Sequence, residues 1–238
     1  MNDPAPTIEA PTQTGTQRPA AVLWDFDGTL ADTEPLWVQG EFALVESLGG
    51  TWSFEHAEHM VGNSLLDSGA YILDVIGRRD LSPAWVVDQL IEHVVQALVD
   101  QPIPWRPGAL ELLQSLNLAG VPCALVSASY RVILDAALRR LPTGGFDVSV
   151  AGDEVSIGKP HPEPYFEAAR RLGVRTTDCV VIEDSANGAA SGNASGALVL
   201  AVEKYVHVPR VDRRIHRETL VGLDLDELSL LLGRANAI

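Results

Sequence analysis

The sequence predicts an α/β fold, a doubly wound parallel sheet interrupted by a small all-helical domain, and three observations predict it. Five short runs rich in apolar and β-branched residues recur along the 238-residue chain. Most are followed by a helical pattern, and their near-continuous apolar character suits strands covered on both faces. Successive runs begin about 18 to 33 residues apart, except the first two, which almost a hundred residues separate. That gap marks the insertion.

The strand candidates are 20–24, 121–126, 146–151, 179–182 and 197–202. Helical patterns follow at 131–141, at 162–172 and, in small residues, at 185–194; one at 108–118 leads into the second strand, and 224–232 closes the chain. Inside the gap, 34–48 reads as a helix stopped by Gly49-Gly50, and 63–76 as another. The clearest runs from Pro83 to Asp100, with Ser82 as N-cap, Pro83 at the first helical position and Val86, Val87, Leu90, Ile91, Val94, Val95 and Leu98 on one stripe. The expected organisation is a disordered tail over 1–19, a Rossmann-like core over 20–32 and 104–238, and a helical domain over 33–103.

Apolar types make up 46% of the chain and charged types 21%, enough to bury a core. The balance of 17 Lys and Arg against 32 Asp and Glu gives a net charge of −15, which repels nucleic-acid phosphates and anionic membranes. Neither partner is expected. No apolar run approaches the roughly 20 residues of a membrane span, and the Pro/Thr/Gln-rich start lacks the apolar stretch of a secretory signal. Cys123 and Cys179 each open an apolar run and read as buried thiols in a reducing cytoplasm. The segment 203–218, with Arg210, Arg213, Arg214 and Arg217, reads as a solvated loop; His56 and His59, with no third ligand nearby, read as surface residues.

The chemistry concentrates where strands end. The first closes on Asp25-Phe26-Asp27-Gly28-Thr29-Leu30, and residues two apart on a strand share a face, so both carboxylates emerge at the carboxyl edge where ligands bind in such sheets. The alternative is a pair of aspartates capping a turn. The fourth strand closes on Glu183-Asp184-Ser185, bringing two more acids to the same crevice. Hard oxygen ligands at that density ask for Mg²⁺. After the second strand, Ser127-Ala128-Ser129 offers a hydroxyl and backbone N–H groups as a neutral anion cradle, or a helix cap. Lys159, on a loop stiffened by Pro160, Pro162 and Pro164, can reach the crevice and offset the acids, or can be a solvent lysine.

Together, DFDGTL at 25–30, Ser127 after an apolar strand, Lys159 in GKPHPEP and IEDSANG at 182–188 resemble the four motifs of the haloacid dehalogenase-like hydrolase superfamily, in order and spacing, over about residues 20 to 225. The resemblance is to the branch with a helical cap after the first motif, which includes small sugar-phosphate phosphatases and β-phosphoglucomutase. It implies a Mg²⁺-dependent phosphomonoesterase for a small phosphorylated sugar, polyol or hydroxy acid, cytoplasmic, a monomer or small homo-oligomer. It further implies Asp25 as nucleophile, Asp27 as general acid/base, Ser127, Ala128 and Lys159 on the phosphoryl oxygens, and Mg²⁺ held by Asp25, the Asp27 carbonyl and Asp184, with Glu183 assisting directly or through water. A phosphomutase and a non-catalytic phosphate-binding relative are the alternatives. Against the mutase, the position of a phosphate-gripping cap arginine holds Leu65, and that of a histidine restraining the acid/base holds Trp37, so water is expected to reach the phospho-enzyme.

Overall fold

The computed structural model describes residues 15–61 and 63–237; most of the N-terminal stretch expected to be disordered lies outside them. Six strands form one parallel sheet in the order β3-β2-β1-β4-β5-β6, namely β1 (Ala21–Trp24), β2 (Cys123–Val126), β3 (Val148–Val150), β4 (Cys179–Glu183), β5 (Leu198–Ala201) and β6 (Arg214–His216). This is the doubly wound α/β sheet that the sequence predicts.

Its strands are apolar without interruption because helices cover both faces. Val22, Trp24, Cys123, Leu125, Val180 and Ile182 enter one apolar cluster, while their neighbours Ala21, Leu23, Ala124, Val126, Cys179 and Val181 enter another on the opposite side. Period-two alternation therefore sorts side chains between two cores rather than between core and water. The core helices are α5 (Ala109–Leu118), α6 (Arg131–Leu138), α7 (Glu163–Leu172), α8 (Ala186–Ala194) and α9 (Leu225–Asn236).

The chain lays down β2 and β3 on one side of β1, then β4, β5 and β6 on the other. The reversal opens a crevice at the carboxyl ends of β1 and β4, where ligands bind in sheets of this kind.

Four helices fill the insertion between β1 and α5: α1 (Glu34–Ser47), α2 (Phe54–Met60), α3 (Leu65–Val75) and α4 (Pro83–Asp100). Leu44, Val45, Trp52, Met60, Ile72, Leu73, Val86 and Leu90 give them an apolar cluster of their own. Ser53, Ser64 and Ser82 each cap the helix that follows through the side chain. The far half of α4 leaves this cluster; Val87, Ile91, Val94, Ala97 and Leu98 join the sheet's core, and Arg140 donates to the carbonyls of Leu98, Val99 and Gln101 at its end. The two linkers run side by side, with Asp32 N–H on Pro104 O (2.8 Å), Arg106 N–H on Leu30 O (2.9 Å) and Ala31 bridged antiparallel to Trp105.

Three expectations need correction. Part of the basic segment at 203–218 is not a loop but β6, paired to β5 as Val199↔Arg214, Leu200↔Ile215 and Ala201↔His216. Three residues with a single apolar one, Ile215, give too brief an apolar signal to read, and short edge strands carrying charge are one way that sheets avoid further pairing. Helix α2, with seven residues beginning at Phe54, was also not expected; its periodicity is too brief to register. His56, expected on the surface, is half-buried, stacked on Trp52 and hydrogen-bonded through Nδ1 to the Tyr71 hydroxyl at 2.8 Å. Both cysteines are buried and free, as expected. No helix among the described residues is long and apolar enough to cross a membrane.

Candidate active site

The crevice has a charged end and a neutral end, and the Asp25–Asp27 turn supplies one carboxylate to each. Asp25 leaves β1 with its N–H on Ile182 O (3.0 Å), which fixes it beside β4. Gly28 then turns the chain at φ +84°; a Cβ there would lie 2.0 Å from Asp184 Oδ2, so glycine is required both by the backbone and by the carboxylate beside it.

At the charged end, Lys159 Nζ donates to Asp25 Oδ1 (2.7 Å), Glu183 Oε1 (2.6 Å) and Val126 O (2.9 Å). Its side chain is only 6% exposed, which excludes the solvent lysine. Three acceptors occupy the three donors of an ammonium. Burial works against that charge, yet Asp25 and Glu183 outweigh it and hold Lys159 well above the ordinary lysine range. Glu183 is fully buried; Oε1 also accepts from Tyr165 OH (2.8 Å), and Oε2 accepts from the N–H groups of Asp184 and Ser185 and from Ser185 Oγ. Gly188 makes room for it, since a Cβ there would fall 1.8 Å from Oε1. Ser185 also caps α8, accepting from Gly188 N–H.

Asp25, Glu183 and Asp184 bring carboxylate oxygens within 4.8 Å of one another, all three buried. Burial, then Glu183, pushes Asp25 up to about 7, and burial with Asp25 and Glu183 lifts Asp184 well above the carboxylate range. Lys159 offsets one of three charges. A hard dication among these oxygens would offset the other two, so the donor set fits Mg²⁺. Asp184, which takes a long 3.4 Å contact from Thr29 Oγ1, is better disposed to a metal than Glu183, whose oxygens already serve five donors.

At the neutral end, Asp27 faces four donors without charge. Ser127 Oγ (3.0 Å) and Ser129 Oγ (2.7 Å) donate to Oδ2; Thr33 Oγ1 (2.6 Å) and Trp37 Nε1 (3.3 Å) donate to Oδ1. The first pair stands on the turn between β2 and α6, the second at the start of α1. Ser127 Oγ also accepts from Ser129 N–H (2.9 Å), and Ala128 stands exposed between the two buried serines. The expectation that nothing at position 37 restrains Asp27 is therefore corrected, because the indole N–H does so.

The structure thus gathers Asp25, Asp27, Ser127, Lys159, Glu183 and Asp184 into one crevice, with Ala128 at its lip. Sequence reasoning missed Thr33, Ser129 and Tyr165 as parts of it. Ser129 carried a signal, lying two residues from Ser127 on the same turn; Thr33 and Tyr165 look like an ordinary helix cap and an ordinary helix residue. Above Asp27, α1 turns Glu34, Trp37 and Glu41 to one face. Burial lifts Glu34, beside Glu41, and Glu41, against its bond from Trp52 Nε1 (3.1 Å), each to about 7.

A family model described as haloacid dehalogenase-like hydrolase matches residues 19–196. Hexitol phosphatase A of Escherichia coli K12 is 30% identical over 197 residues, which cover 80% of this chain and 86% of that protein. Among solved structures, CbbY from Rhodobacter sphaeroides in complex with phosphate superposes with a TM-score of 0.77 at 25% identity, covering 89% of this chain and 99% of the other. A β-phosphoglucomutase from Clostridium difficile gives 0.78 at 21% identity over 92% and 99%, a likeness of fold.

Proposed function

The chain belongs to the haloacid dehalogenase-like hydrolase family, and from that premise we propose that it is a Mg²⁺-dependent phosphomonoesterase acting on a small phosphorylated sugar or polyol through an aspartyl-phosphate on Asp25. The observation that carries this reading is the division of the crevice: one buried carboxylate in ion pair with a lysine, the other two residues away and held by neutral donors. Two environments suit two roles, nucleophile and proton carrier.

In this reading Asp25 attacks phosphorus with the oxygen that Lys159 does not hold, and the ammonium favours the ionised carboxylate against the burial that lifts it. Asp27 protonates the departing alkoxide and then takes a proton from the water that cleaves the acyl phosphate. Ser127 and the Ala128 N–H meet phosphoryl oxygens. Glu183 aims Lys159 and is itself locked by Tyr165 and Ser185. Mg²⁺, held by Asp25, the Asp27 carbonyl and Asp184, would supply charge neutralisation for an in-line transfer. The helices within 33–103 act as a cap over the crevice, bending at the paired linkers and excluding bulk water.

The polyol preference draws on hexitol phosphatase A. The test is a panel of hexitol, pentose and hydroxy-acid phosphates ranked by kcat/KM with and without Mg²⁺, alongside Asp184→Ala. We expect metal-dependent release of phosphate, at least about a tenfold higher Mg²⁺ requirement in the variant, and a hexitol ester near the top. Metal-independent turnover, or sustained conversion of β-glucose 1-phosphate to the 6-phosphate without free phosphate, overturns it.

A further inference from the structure

Resting on the assignment of Lys159 to the nucleophile and the phosphoryl group, we infer that Glu163 is a positioning residue for the reaction: its carboxylate holds the loop that delivers the Lys159 ammonium to the crevice. Burial cannot hold this loop. Ser156, Ile157, Gly158, Pro160 and His161 are all exposed, whereas the Lys159 side chain among them is only 6% exposed. An exposed stretch of backbone therefore places a buried charge, and a flexible stem joins the two. What fixes the backbone has to be polar.

Glu163, the first residue of α7, spends both carboxylate oxygens on that task. Oε1 accepts from Ser156 N–H (2.7 Å) and Oε2 from Ile157 N–H (3.1 Å), on the near side of Lys159. On the far side, His161 N–H bonds to Gly158 O (3.0 Å), and Glu163 N–H donates to His161 Nδ1 (3.2 Å). The His161 carbonyl in turn accepts from Ser191 Oγ (2.7 Å), a fully buried hydroxyl of α8. The turn is thus closed on itself and moored to two core helices, with Lys159 between the moorings. Hydrogen bonds to an ionised acceptor are stronger than those between neutral groups, so the Glu163 side is the firm one. A carboxylate in the first turn of α7 also suits the helix dipole, but that role ends at the helix. The grip on residues 156 and 157 reaches past it.

The two roles separate through Lys159 itself. A positioning contact acts through the lysine it aims, so its cost vanishes once the lysine is gone; a loss of helix or loop stability costs both backgrounds alike. The test measures kcat/KM with Mg²⁺ on the best ester of the panel above for Glu163→Ala and Glu163→Gln, each alone and on Lys159→Met, with a melting curve for every variant. We expect Glu163→Ala to lose about tenfold on the native background and less than about twofold on Lys159→Met. Glu163→Gln keeps the length and one carbonyl oxygen, so it still holds one N–H and should lose only about threefold on the native background, with no loss on Lys159→Met. Should the alanine variant not fold, the glutamine pair decides alone. Native kcat/KM in the Glu163 variants, or the same factor lost on both backgrounds, overturns the inference and leaves the phosphatase reading intact. If Lys159→Met by itself keeps native kcat/KM, Lys159 does not serve the phosphoryl group, and the inference fails together with that part of the reading.

Discussion

The two carboxylates of the Asp25–Asp27 turn face one crevice, yet the molecule holds them by opposite means. Asp25 sits among ions: an ammonium on one oxygen, two further buried acids beside it, every partner carried by the sheet's own edge or the loop after β3. Asp27 sits among neutral donors, two from the sheet side and two from α1. The first arrangement depends on its one cation, because removing Lys159 leaves three buried acids facing one another in a poor dielectric. The second arrangement keeps its carboxylate half-exposed and spreads the hold over two parts of the fold. The charged end should therefore fail steeply and the neutral end by degrees.

Asp25→Asn breaks the comparison most severely. Turnover should fall by at least about a thousandfold, since no neighbour can replace a covalent nucleophile. In metal-free buffer, thermal melting should change little, because an amide is close to the protonated acid that burial already favours there. Single-turnover assays and a melting curve check both halves.

Lys159→Met tests whether the ions are a set. With Asp25 and Glu183 left facing each other, we expect a loss of about 3 kcal/mol in urea titrations of the metal-free protein and a fall in kcat/KM of about a hundredfold. Added Mg²⁺ should return part of the stability. A variant as stable as the native chain would mean that the acids are discharged by protonation and that Lys159 serves substrate alone.

Glu41 carries the comparison into the inserted helices, where a carboxylate is buried on an indole N–H with no salt-bridge partner among the described residues. Its pKa rises from 4.5 to about 7 on folding. The folded chain then keeps a proton that the unfolded chain releases, so this contribution is full below about pH 4.5 and is lost as pH climbs to about 7. Glu41→Gln should remove that loss, gaining on the order of 2 kcal/mol over the native chain at pH 8 and little at pH 4.5. Denaturant midpoints at the two pH values decide it; a gain independent of pH would trace to packing instead.

The smallest effect belongs to the neutral end. Ser129→Ala takes one of four donors from Asp27, and a hydrogen bond to a charged group contributes about 1.5 kcal/mol, hence roughly a tenfold loss of kcat/KM on an alkyl ester. A hundredfold loss would make this end as brittle as the other.

What could be read from the sequence follows the same division. Strands covered on both faces announce themselves, so β1, β2, β4 and β5 fall within a residue or two of their expected ends, and the residues that close them mark the crevice. Charge offers Lys159 as the partner of the acids, and its burial decides that reading over a solvent lysine. The neutral end is quieter. Nothing about Thr33 distinguishes a cap from a donor aimed across the crevice, and the reach of Trp37 depends on the packing of helices whose spacing the chain does not declare. Glu183 reads as a metal-side acid because it closes a strand beside another carboxylate; that its oxygens also serve Lys159, Tyr165 and Ser185 is a fact of three dimensions. Strand β6 is the converse case, made of residues chosen to be unattractive to further strands.

The paired linkers carry one more consequence. Because Ala31 and Trp105 face each other across a bridge and their neighbours share backbone hydrogen bonds, the chain leaves the sheet and returns to it at a single doorway. Some seventy residues enter and exit through a gap that one short turn could close. A segment moored in this way can be lengthened, shortened or exchanged for another without disturbing the order of the strands, provided the replacement covers the apolar surface that the end of α4 now occupies. The sheet is in that sense a socket, and grafting the helices of a relative between positions 32 and 104 would ask whether substrate choice travels with the plug.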